Sequence, residues 1–109
     1  MTARLNHVEL LSLLALARLG DDAHAGSVRA DILAAGGRRA SVAAVYAALE
    51  RLVQLRLARA WLADPRPEPG GRARRHFSLT AAGVTWLRDE RARTRLMWRG
   101  VSTDERSPR

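Results

Sequence analysis

The sequence predicts a mainly α-helical domain interrupted by one β-hairpin, in the order helix, helix, helix, hairpin, helix. Three observations predict it. Apolar residues recur at helical spacing in successive segments separated by glycine breaks at Gly20 and at Gly36-Gly37. Two short strand-like segments then flank a stretch of prolines, glycines and arginines that no regular element tolerates. A last helical segment follows Thr80, and beyond it apolar residues become scarce.

The first helix runs from about Leu5 to Leu19. Leu5, Val8, Leu11 and Leu14 form one stripe, and Leu10, Leu13 and Leu16 widen it past a single face. A helix apolar on that many sides is covered twice, either by a second subunit or by the rest of its own chain. Gly20-Asp21-Asp22 ends the pattern, and a second helix extends from about His24 to Ala35 with Val28, Ile32 and Leu33 facing inward. Gly36-Gly37 stops it and Arg38-Arg39 lead on to Ser41, an N-cap whose hydroxyl accepts from a backbone N–H in the next helix's first turn. That third helix runs from Val42 to about Leu55. Val42, Val45, Leu49 and Leu52 share its inner face, leaving Ala43, Ala44, Ala47, Glu50, Arg51 and Gln54 on the other.

Leu57 to Ala63 and Arg75 to Leu79 are the two strands, joined by a long basic tip from Asp64 to Arg74 that includes Gly70-Gly71. Thr80 caps a final helix through Ala82, Val84 and Leu87 to about Trp98. From Arg99 the chain is polar and carries Pro108, the composition of a disordered tail. The expected organisation is therefore 1–79 as the main unit, 80–98 as a C-terminal helix and 99–109 as a tail, with no internal repeat.

This order is that of a winged helix-turn-helix with an added C-terminal helix. In such a fold the third helix enters the major groove of DNA and the hairpin, the wing, lies along the backbone. At 109 residues and 47% apolar the chain fits one domain with one modest core. Its 19 basic against 11 acidic residues give a formal charge of +8, which favours a polyanionic partner. Every one of those basic residues is arginine, whose planar fork suits phosphate oxygens and guanine edges. The codon bias of a GC-rich genome accounts for the missing lysines but not for the net charge.

Other classes find no support. Cysteine is absent, and His7, His24 and His76 are too far apart in sequence to form a ligand pair, so no metal site is expected. Neither a nucleophile triad order, a phosphate-binding loop nor a dinucleotide fingerprint is present, so we expect neither an enzyme nor a cofactor. The apolar run from Leu10 to Leu19 is far shorter than the about 20 residues that span a membrane, and a cytoplasmic location is expected.

Two basic clusters flank the third helix: Arg38-Arg39 before it, and Arg66, Arg72, Arg74 and Arg75 around the wing's Gly-Gly turn. Between them the alanines at 43, 44 and 47 let the helix backbone approach base edges, an alanine methyl meeting a thymine methyl, with Arg51 and Gln54 as donors. The plainer reading is that alanines are good helix formers on a solvated face.

Three stretches in order carry a family resemblance. They are Ser41-Val42-Ala43-Ala44-Val45-Tyr46-Ala47-Ala48-Leu49-Glu50-Arg51-Leu52, then Gly70-Gly71-Arg72, then Phe77-Ser78-Leu79-Thr80-Ala81-Ala82-Gly83. Together with Leu11 to Gly20 and Ala23-His24 they make residues 5–98 resemble the PadR family of bacterial regulators. The resemblance implies a dimeric regulator, most often a repressor of nearby genes on a palindromic operator. Carried over by position, the DNA-facing residues are Ser41, Ala44, Tyr46, Ala47 and Arg51 on the helix and Gly71, Arg72 and Arg74 on the wing, although Tyr46 also has the option of closing the core. The first and last helices are implied to build the dimer, through Leu10, Leu13, Trp86, Leu87, Leu96, Met97 and Trp98. Some relatives bind flat aromatic effectors between the last helices, where Trp86 or Trp98 would stack or simply pack the dimer.

The chain departs from the family pattern in three places. Leu55-Arg56-Leu57 lacks the glycine that usually ends the recognition helix, so a non-glycine must make that turn. Ala25-Gly26 replaces a glycine and an aromatic. The middle of the last helix, Arg88 to Arg95, is very polar, with Asp89 and Arg93 spaced to pair. Two rivals remain at this stage: a basic domain that binds RNA without reading sequence, and a protein–protein module working through its outer helices.

Overall fold

The structure, a computed structural model, describes residues 3–63 and 74–104. The elements are α1 (His7–Leu19), α2 (Ala25–Ala34), α3 (Val42–Gln54), β1 (Ala58–Leu62), β2 (Arg75–Leu79) and α4 (Ala81–Met97). Four helices and one hairpin in this order reproduce the winged helix-turn-helix expected from sequence.

Each helix starts where a side chain can take up its unpaired N–H groups. Asn6 opens α1 with a capping box: Glu9 N–H donates to Asn6 Oδ1 and Asn6 N–H to Glu9 Oε1, both at 2.8 Å. The helix therefore begins two residues later than the apolar pattern suggested. His24 caps α2, Ser41 caps α3 and Thr80 caps α4 through the Gly83 N–H at 3.0 Å.

The core is a single cluster in which Leu13 and Leu16 of α1 meet Val28 and Ile32 of α2, Val45, Leu49 and Leu52 of α3, Phe77 of β2 and Trp86 of α4. Three sequence expectations are corrected. On α1 the inward column is Glu9, Ser12, Leu13 and Leu16, while Leu5, Val8, Leu11 and Leu14 are only half-buried. A carboxylate holds one core-facing position there, which hides the column from an apolar count. Leu33 is 49% exposed and Val42 48% exposed, because α2 and α3 bury narrower faces than their apolar residues suggest.

The strands pair antiparallel from Ala58 opposite Leu79 to Leu62 opposite Arg75. Phe77 N–H also donates to the Ala23 carbonyl at 2.8 Å, so the loop before α2 lies along the free edge of β2 and satisfies it. Between α3 and β1 the chain turns at Arg56, with φ +63°. Leu57 N–H bonds the Leu52 carbonyl and Arg56 N–H the Val53 carbonyl, both at 2.9 Å, which closes a Schellman motif on a residue with a Cβ. Arg56→Gly is therefore expected to raise stability by about 0.5–1 kcal/mol in a urea melt, relief of the left-handed backbone outweighing glycine's added unfolded-state freedom. A loss of stability would mean that the Arg56 side chain contributes more than the backbone strain costs.

α4 is anchored at its start and open further on. Gly83 and Trp86 are its buried residues, and Arg91 to Arg99 are all exposed. Arg93 pairs with Glu90 rather than with Asp89, the partner its spacing suggested. Among the described residues no helix is long and apolar enough to cross a membrane.

Candidate nucleic-acid interface

α3 presents a face of small residues. Ala43, Ala44, Ala47 and Gln54 are exposed along about 16 Å of helix, length enough to enter a major groove about 12 Å wide. Ser41 Oγ accepts the Ala44 N–H at 3.0 Å and fixes where that face begins. The turn before it is held by Arg29 of α2, whose Nε donates to the Ala40 carbonyl at 2.8 Å. Arg38 and Arg39 project from this turn, both exposed, beside the positive end of α3. Tyr46 is 42% exposed, and its ring stands edge-on to Phe77 with centroids 6.1 Å apart, so it packs on the core from one side.

Two of the helix's charged residues have partners that the sequence did not reveal. Arg51 Nη1 donates to Glu9 Oε1 at 2.6 Å and to the Arg4 carbonyl at 3.1 Å, so its guanidinium is tied to the start of α1. Glu50 holds Arg75 of β2 at two points, Nε to Oε1 at 2.5 Å and Nη2 to Oε2 at 3.3 Å. The hydrogen bond to Glu50 raises the Arg75 pKa, with burial acting in the opposite direction. A guanidinium is charged at any physiological pH, so the consequence is geometric: a neutralised pair that pins the wing's second strand to α3. Arg75, grouped by sequence with the phosphate-binding cluster, is engaged within the fold. Arg74 Nη1 lies 3.1 Å from His24 Nε2, and the Arg59 guanidinium sits 4.7 Å over the Trp61 ring. Gly71, Arg72 and Arg66 lie outside the described residues.

Glu9 and Glu50 are the site-forming residues that sequence reading missed. Asn6-Glu9 has the spacing of a capping box, a signal that was available for the first. Nothing comparable marks the second, since the Glu50–Arg75 pair spans 25 residues.

A second region lies between α1 and α4. Leu10 and Leu14 of α1 face Val84 and Leu87 of α4 and its C-cap residue Trp98 across an open, mainly apolar groove of about 700 Å³ rimmed by Arg88, Arg91 and Arg95. Of the residues expected at a dimer seam, Leu10, Leu87 and Trp98 line this groove, and Leu96, Met97 and Trp98 are 60, 75 and 57% exposed. Leu13 and Trp86 do not join them. Leu13 is fully buried and Trp86 only 7% exposed, both inside the chain's own core.

Three solved structures share the fold of this chain. A PadR family transcription regulator from Clostridium difficile matches with a TM-score of 0.69 over 84% of this chain and 91% of that one, at 18% identity. The fold is that of the PadR regulators. A PadR-like transcription factor from Bacteroides fragilis matches with a TM-score of 0.65 over 81% and 82% of the two chains, at 19% identity. BpsR of Bordetella bronchiseptica, whose DNA binding is described as regulated by 6-hydroxynicotinic acid, matches with a TM-score of 0.58 over 94% of this chain and 71% of that one, at 20% identity. At the level of sequence, no protein-family model and no curated protein matches. The likeness to PadR regulators is thus one of fold.

Proposed function

We propose that this protein is a sequence-specific DNA-binding transcription regulator of PadR type rather than an enzyme, and that it acts as a homodimer on a two-fold symmetric operator. The observation that carries this reading is α3: a capped helix with exposed alanines, preceded by the exposed Arg38-Arg39 and pinned to the wing through the Glu50–Arg75 pair. Ala44 and Ala47 meet thymine methyls, Gln54 and the Tyr46 hydroxyl read base edges, and Arg51 adds the N–H groups that Glu9 and Arg4 do not engage. Ser41 sets the helix start against the backbone. Arg38, Arg39, Arg72 and Arg74 bind phosphate, with Gly71 letting the wing backbone come close.

The exposed Leu96, Met97 and Trp98 and the open groove support dimerisation through α1 and α4, because a monomer would leave that apolar surface wet. Occupying an operator near its own gene, the dimer represses by excluding polymerase. The groove also has room for a small aromatic acid of the kind named for BpsR, stacked on Trp98.

Titration of the purified chain on its own upstream DNA and on an unrelated duplex, at two salt concentrations, tests this. The expected result is a preference of about 10³-fold or more for the upstream DNA. Sedimentation of the free chain should show twice the 12.0 kDa chain mass. Equal, steeply salt-dependent affinity for unrelated duplex and structured RNA would mean phosphate contact alone and remove the regulator reading.

A further inference from the structure

Residues 3–6 precede the first helix, yet they contact two elements remote in sequence. Trp86 Nε1–H, from α4, donates to the Ala3 carbonyl at 2.8 Å. The next carbonyl, that of Arg4, accepts from Arg51 Nη1 of α3 at 3.1 Å. The same Nη1 donates at 2.6 Å to Glu9 Oε1, which also accepts the Asn6 N–H at 2.8 Å. Both ends of this chain of bonds are well enclosed, Trp86 being 7% and Glu9 4% exposed.

The arrangement exceeds what helix capping requires. A capping box needs only the Asn6–Glu9 exchange; here the carboxylate is also charge-paired with a residue of the recognition helix. The two carbonyls that flank the Ala3–Arg4 step are held by side chains from different elements. α4 packs mainly on α1 and β2, and the strap adds a run of polar links from it to α3. On its other side α4 lines the apolar groove through Val84 and Leu87.

We infer that the N-terminal strap, residues 3–6, couples the position of α4 to the pose of the recognition helix, with Trp86 and Glu9 as positioning residues for DNA readout. A shift of α4, whether by a partner subunit or by an occupant of the groove, draws on Ala3 through Trp86. The Arg4 carbonyl moves with it, and Arg51 then rests on Glu9 alone. Since α3 sits over base edges where displacements of an ångström matter, discrimination between sequences suffers before overall attraction to phosphate does. This inference rests on the DNA-binding reading given above.

The test uses Trp86→Phe, which keeps a ring in the core but removes the indole N–H, and Glu9→Gln, which keeps the shape but removes the charge opposite Arg51. Hydrogen–deuterium exchange on the DNA-free full chain should show amides of residues 48–54 exchanging about 3–10-fold faster in either variant, with those of α2 unchanged. On DNA the preference for the upstream duplex should fall by about the same factor while the salt slope stays that of the wild type. Unchanged exchange in α3, or an equal rise across all helices, overturns the strap and leaves Trp86 as a packing residue. Should the wild-type chain show no preference for its upstream DNA, the regulator reading fails, while the exchange experiment still decides whether the strap couples the two helices.

Discussion

Gly83→Ala is expected to destabilise the protein by about 2–4 kcal/mol and to lower its melting temperature by roughly 10–25 °C. Helix propensity alone gives the opposite sign, since alanine is better than glycine within a helix by about 1 kcal/mol. Packing decides against it. A Cβ at Gly83 would stand 2.2 Å from the Leu57 carbonyl oxygen and 2.8 Å from Leu79 Cδ1. The carbonyl is backbone, fixed by the Schellman turn on one side and by the Thr80 N–H at 3.1 Å on the other, so it has nowhere to retreat. The first turn of α4 must lift off Leu57 and β2, taking Trp86 out of the core with it. Thermal melts followed by circular dichroism would show this, with Gly26→Ala as the comparison. There the added methyl meets only the His24 side chain, at 3.1 Å, and the melting temperature should move by a few degrees at most. A Gly83→Ala chain as stable as the wild type would mean that α4 is not seated where the structure has it.

That close approach shows what sequence could and could not convey. The four helices, the hairpin and the caps at Ser41 and Thr80 were legible because each is written locally, in apolar spacing, a glycine break or a hydroxyl ahead of a helical run. Even the odd turn at Arg56 was visible, as a missing glycine. Pairings across the fold were not. Glu9 lies in an apolar run where a charge reads as solvent-facing, and only Arg51, 42 residues on, makes it a core residue. Glu50 looked like part of the exposed face until Arg75 closed on it from the wing. Leu13 and Trp86 carried the apolar character of a dimer seam, but apolarity does not say whether the cover comes from the same chain or another.

Ala47→Glu is expected to weaken binding to the upstream duplex about 100-fold or more, close to 3 kcal/mol, with folding stability changed by no more than about 0.5 kcal/mol. Ala47 is exposed and makes no core contact, so the fold has little to lose. On the proposed interface the substitution does two things at once. It replaces a methyl that allows close approach with a side chain long enough to hold the helix out of the groove, and it sets a negative charge among phosphates. Arg51, one turn away, cannot neutralise it readily because Glu9 already holds that guanidinium. Ala47→Lys separates the two effects. It keeps the bulk but reverses the charge, so its affinity for unrelated DNA should hold or rise while the preference for the upstream sequence collapses. Ala30→Glu on α2, also exposed and on the side of that helix opposite its buried Val28 and Ile32, should leave binding within about threefold. If Ala47→Glu binds upstream DNA as tightly as the wild type, the alanines of α3 are a solvated surface and the DNA-facing helix must be sought elsewhere. If both Ala47 variants lose the sequence preference and only the glutamate loses affinity for every duplex, α3 reads bases while the arginines around it supply the attraction.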